Sequence, residues 1–246
     1  MTATLVRYVA TQWRFLTFRS APIAATERTA FLGFALVATW IAGLGRYWDH
    51  EKPHVVQSLG LGSVAYVFVF TSLLWIVGLP LKPRAWRFSD VLLFVAMTSP
   101  LAWLYAVPVE RFMTVELAAA ANAVFLTIVA AWRVALLVRH LHVVCGLGEK
   151  TSLVTAFLPL TAIVVALTAL NLEHATFNLM SSGGGATPHD AAYQLVIVLT
   201  VGSVIAVVPL LLAYAFAIDK RANARKAAAD AAANADAAAE DPPPSQ

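Results

Sequence analysis

Residues 59–87 read LGLGSVAYVFVFTSLLWIVGLPLKPRAWR, and this stretch decides the fold. From Leu59 to Leu81 it carries no charged side chain; Lys82, Arg84 and Arg87 then follow within one short segment. A helix needs about 20 mainly apolar residues to cross a bilayer. An uncharged run of that length, closed by basic residues, reads as a helix that spans the membrane and stops at its cytoplasmic face.

Five more apolar stretches flank this one. The expected spans are residues 28–45, 58–80, 89–107, 114–138, 152–171 and 191–218. The third is the shortest and is interrupted by Pro100. It is counted because without it the basic segments would fall on opposite sides of the membrane. Composition agrees: 60% of the residues are apolar and 13% charged, against roughly 45–50% and about 25% in soluble domains. The expected fold is all-α, a polytopic membrane bundle of six transmembrane helices over 28–218. A short interfacial segment (1–27) precedes it and a low-complexity cytoplasmic tail (219–246) follows.

Basic residues are sorted by gap. Arg7, Arg14, Arg19 and Arg28 precede the first span, and Lys82, Arg84 and Arg87 follow the second. Arg133, Arg139 and Lys150 surround the end of the fourth, and Lys220, Arg221, Arg225 and Lys226 follow the sixth. Only Arg46, Lys52 and Arg111 fall in the other gaps. The positive-inside rule then places both termini in the cytoplasm of an inner-membrane protein. Sorting by side, with no aromatic-basic face, excludes a nucleic-acid partner. The lone Cys145 forms no internal disulfide and says nothing about compartment.

The N-terminal segment spaces Leu5, Val9, Trp13 and Leu16 along one helical side, with Arg7 and Arg14 on another. That pattern predicts an amphipathic helix in the headgroup region, anchored by Trp13. Trp48 and Trp86 also fall near expected interfaces. The tail after Ala222 runs AAADAAANADAAAED before three prolines. Alanine favours helix, so the sixth span is expected to continue into the cytoplasm as a marginal helix; the stretch has no apolar face to bury and Pro242 to Pro244 end it, so that helix is expected to fade into disorder.

Polar residues inside the spans are the first functional candidates, because hydrocarbon tolerates them mainly where they face protein or water. Asn122 and Arg133 lie eleven residues apart and so share a face of the fourth span. Arg133 sits where its long side chain can reach the headgroups, or where it can hold an anionic substrate. Tyr193, Thr200, Ser203 and Tyr214 form a stripe on the sixth span, and Thr161, Thr168 and Asn171 a similar one on the fifth. Such residues also bond between packed helices. Pro100, Pro159 and Pro209 each favour a kink, and Thr98 and Ser99 are placed to satisfy carbonyls freed by Pro100.

The outer gaps hold the second set: Arg46, Asp49, His50, Glu51, His54, Glu110, Arg111, Glu116, Glu173 and His174. Imidazole and carboxylate are suitable metal ligands, which makes His50, His54, Glu173 and His174 the candidate metal set. None shows the tight spacing of structural zinc, and a loop network pairing Arg46 or Arg111 with Asp49, Glu110 or Glu116 uses the same residues. Apart from that possible metal no cofactor is expected. The segment Gly146-Leu147-Gly148-Glu149-Lys150-Thr151 fails as a phosphate loop, since Glu149 separates glycine from lysine. It reads as a turn, with Gly146 and Gly148 taking positive φ.

The segments GRYWDH (Gly45 to His50), GLGSVAY (Gly60 to Tyr66) and YAVPVERF (Tyr105 to Phe112) resemble parts of a family of uncharacterised bacterial multi-span inner-membrane proteins. The likeness covers roughly the first 140 residues and implies no activity, cofactor or catalytic residue. The function expected from the chain is therefore non-enzymatic: a membrane scaffold or accessory subunit. Its partners would be the lipid bilayer and another membrane protein or a second copy of the chain. A small transporter or channel using the polar face around Arg133 and Asn122 is the alternative. A metal-dependent membrane enzyme with its site on the outer face, in which Glu173 acts as base, is a third.

Overall fold

The computed structural model describes residues 2–46, 59–107, 109–170 and 191–240. Among these the regular structure is entirely helical. In chain order the α-helices are α1 (Thr2–Leu16), α2 (Arg28–Arg46), α3 (Leu61–Gly78), α4 (Phe88–Thr98), α5 (Val115–Arg139), α6 (Glu149–Ala169) and α7 (Ala191–Glu240). A 3-10 helix, Ser99–Ala106, continues α4, and a π-helical turn, His140–Val144, continues α5.

Five helical stretches among the described residues are long and apolar enough to cross a membrane: Ala25–Leu44, Leu61–Leu81, Ala120–Val144, Glu149–Ala169 and Ile197–Asn234. They fall on five of the six expected spans. The third expected span differs: Phe88–Leu104 is a shorter apolar helix that changes from α to 3-10 winding at Ser99 and Pro100. The cause is local. Proline brings no N–H to the ladder and cannot continue an α-helix undisturbed.

This short segment is nevertheless the centre of the bundle. Every residue from Val91 to Thr98 is buried, and α4 packs against α1, α2 and α3. Its apolar character all round suits an element surrounded by protein. The outer helices keep many large apolar side chains exposed, among them Val69, Ile76, Ile205 and Leu212, as a lipid-facing surface requires.

The N-terminal helix departs from the expected pattern. Leu5, Val9 and Trp13 are exposed, but Leu16 is buried and belongs to a second face with Tyr8, Gln12 and Phe15. That face meets the bundle: Tyr8 packs edge-on against Phe31 at 5.2 Å, and Phe15 against Phe94 at 5.8 Å. Trp132 of α5 donates its indole N–H to Leu16 O at 2.8 Å. At 100° per residue the packed and exposed apolar stripes adjoin each other, with Arg7 and Arg14 opposite.

As expected, the last span continues as helix through the alanine-rich stretch: α7 runs unbroken from Ala191 to Glu240. Growth from an already formed helix avoids the cost of nucleation, and alanine propagates it well.

The basic gaps meet at one end of the bundle. Arg28 pairs with Asp90 at 2.5 Å. The backbone N–H of Arg84 donates to Cys145 O at 3.0 Å, and Arg225 donates to Leu81 O at 3.2 Å. Trp86 pins the α3–α4 linker by donating to Trp75 O at 3.0 Å. Its ring fills the notch at Gly78, where a Cβ would stand 2.2 Å from two ring carbons. In the turn after α5, Gly146 adopts φ +67 as expected. Gly148 does not: it caps α6 at φ −62, an extended conformation that needs no glycine.

Candidate functional site

Breaking a helix inside hydrocarbon exposes carbonyls that water cannot reach, and each must find a donor within the protein. The break in α4 meets this demand carbonyl by carbonyl. Pro100 offers no N–H to Ala96, its α-helical acceptor, or to Met97, its 3-10 acceptor. Ala96 O instead accepts from the N–H of Ser99. Met97 O accepts from the side-chain amide of Gln12, which reaches in from α1. Val95 O accepts from the hydroxyls of Thr98 at 2.7 Å and Ser99 at 3.4 Å, the role foreseen for those two residues.

Arg133 completes the junction. From α5 its Nε donates to Thr98 O and its Nη2 to Ser99 O, each at 3.4 Å. The side chain is half-buried and points into the bundle, onto the C-terminal carbonyls of α4. A cation there also meets the negative end of the helix dipole. Three helices, α1, α4 and α5, thus meet at the break through Gln12, Thr98, Ser99 and Arg133.

Asn122 is half-buried and shares a face with Arg133 as expected. The two stand about 16 Å apart along α5, eleven residues at 1.5 Å each, so the helix does not bring them together. The polar stripes form packed faces. On α7, Ser203 is buried, Thr200 and Tyr214 are half-buried, and the Tyr214 hydroxyl donates to Val77 O of α3. On α6, Thr161 donates to Phe157 O at 3.0 Å and Thr168 to Val164 O at 2.9 Å, both within their own helix.

Of the outer-face candidates, Arg46 closes α2, Glu110 and Arg111 lie in the 3-10 turn Val109–Arg111, and Glu116 is in the first turn of α5. Asp49, His50, Glu51, His54, Glu173 and His174 lie outside the described residues, as do Trp48 and Asn171. Among the described residues no three His, Cys, Asp or Glu side chains gather as a metal-binding group.

Sequence reasoning missed Gln12 and the cross-bundle tryptophans. Trp103 donates to Ala38 O at 3.2 Å and Trp40 to Leu59 O at 2.8 Å, in addition to the bonds of Trp86 and Trp132. One signal was available: an indole N–H in an apolar setting needs an acceptor, and broken or ending helices supply carbonyls. The family models, the curated proteins and the solved structures give no match to the chain.

Proposed function

We propose that this chain is an inner-membrane protein crossing the bilayer six times, with both termini in the cytoplasm, and that it acts by contact as a scaffold or accessory subunit. The observation that carries the contact role is α7. Its span rests on α5 and α6 along one stripe and leaves Val198, Ile205, Leu212 and Phe216 uncovered. It then runs on as helix for about 28 Å beyond Arg221, the nineteen residues to Glu240 at 1.5 Å each. An arm continuous with a membrane helix transmits position between the bundle and whatever it touches.

Two observations support six crossings. Helix α4 is about 16 Å long, and the eight residues of the 3-10 helix that follows add about 16 Å, together close to the ~30 Å hydrocarbon thickness. The chain also returns from α5 to the end it left, where Arg84 meets Cys145. The basic residues gathered at that end favour the cytoplasm for it. The exposed apolar face of α1, with Trp13, suits contact with lipid beside the bundle.

The test is co-purification in mild detergent from cells expressing the full chain at its native level. A discrete membrane-protein partner or a second copy is expected, with loss of that species when residues 227–246 are removed. Recovery of the isolated monomer alone, from both the full and the shortened chain, would overturn the contact role.

One observation favours the transport alternative: Arg133 uses two of its donors at a helix break, a position from which the others can meet an anion. Vesicles containing purified protein distinguish the two readings. Anion flux abolished by Arg133→Gln supports transport, and no flux from the wild type supports the contact role.

A further inference from the structure

At the basic end of the bundle Arg84, Arg221 and Arg225 form no ion pair among the described residues. Arg225 is fixed against the end of α3 by its bonds to Leu81 O at 3.2 Å and Pro80 O at 3.4 Å. Arg221 lies one turn earlier on the same side of α7, within range of the charges on Arg225 and Arg84. Arg84 is held by its backbone bond to Cys145 O. Its side chain passes over Gly146, where a Cβ would stand 3.4 Å from Arg84 Cδ. The support is rigid, because Trp86 seats in the Gly78 notch and anchors the same linker.

The nearby acids are engaged elsewhere or exposed. Asp90 pairs with Arg28, Asp219 bonds Asn223 at 3.1 Å, and Glu149 is exposed at the start of α6. Like charges held close repel one another, so a rigid cluster of this kind gains from a bound anion. At a membrane boundary the abundant anion is a lipid phosphate, and the forked guanidinium matches phosphate oxygens.

We propose that Arg84, Arg221 and Arg225 form a site for the phosphate headgroup of an anionic phospholipid, seated between the α3–α4 linker and α7. The site rests on the membrane embedding proposed above and not on the contact role, so a failed search for a protein partner leaves it standing.

The experiment is native mass spectrometry of the full chain, released from mixed micelles of phosphatidylcholine with phosphatidylglycerol or cardiolipin. The wild type is expected to retain anionic lipid in preference to phosphatidylcholine. Arg84→Gln and Arg221→Gln are each expected to lower retention roughly fivefold, the scale of one basic residue near an anionic surface. Arg225 is left intact because it caps α3. Thermal unfolding in phosphatidylcholine checks the fold, and Arg84→Lys, which keeps the charge but loses the fork, serves if Arg84→Gln unfolds. Three results would each overturn the site: equal retention of phosphatidylcholine, an equal loss on Lys150→Gln, or stabilisation by inorganic phosphate alone that matches the lipid.

Discussion

Arg133 shows how a residue's meaning depends on what stands opposite it. Position in the span suggested a side chain reaching for headgroups, but the carbonyls of Thr98 and Ser99 lie within its reach and need donors. Arg133→Gln is expected to destabilise the bundle by about 1–2 kcal/mol; bonds from charged donors contribute about 1.5–3 kcal/mol, and these two are long. Chemical unfolding in detergent measures it, and an unchanged midpoint would dismiss the capping role. Cys145 offers a second check. Burial, and after it the charge of Asp90, pushes its thiol up to about 12, so the reactive thiolate is scarce at neutral pH. A maleimide reagent at pH 7.5 is expected to label it only after unfolding; rapid labelling of the folded protein would contradict the burial. The raised value also means that Cys145 favours the fold below its ordinary value of 9.0. That contribution is lost as pH rises from there toward about 12.

At the scale of elements, the linker after α3 is the clearest case of shape deciding structure. Gly78 leaves a space that the Trp86 ring fills, and Trp86 then ties the linker to Trp75 O. Gly78→Ala is expected to cost about 1–3 kcal/mol, the range for overpacking a filled site. Adding Trp86→Ala removes the clash, so the double variant should lose less than the sum of the two singles. Strict additivity in a thermal unfolding series would deny the contact. The break in α4 teaches the complementary lesson. Pro100 marks the break in the sequence, yet Gln12, 88 positions earlier, supplies one of its donors. A donor brought by a different helix leaves no local pattern to read.

At the scale of the molecule, the count of crossings decides where the ends lie. Six crossings put both termini on the side of Lys82 and Arg84; five would separate them. Alkaline phosphatase fused after Gln246 is expected to be inactive, and fused after Thr114 active, since the enzyme folds only outside the cytoplasm. An active fusion at Gln246 would exclude six crossings.

Much of this architecture was set by the sequence alone, because hydrocarbon is an unforgiving solvent. Five apolar runs of spanning length fall where helices form, since a backbone in lipid must bond to itself. The sorted arginines likewise marked the segments that meet at one end. Tertiary structure decided the rest. It buried Leu16 and Gln12 on a face adjoining the exposed one and turned the polar stripe of α7 into a packed seam. It also set Arg133 on the carbonyls of the α4 break and Arg225 on the carbonyls that end α3. Periodicity tells which residues share a side of one helix. Which carbonyl, ring or charge waits on the facing helix depends on packing between segments far apart in the chain, and only the assembled bundle fixes that.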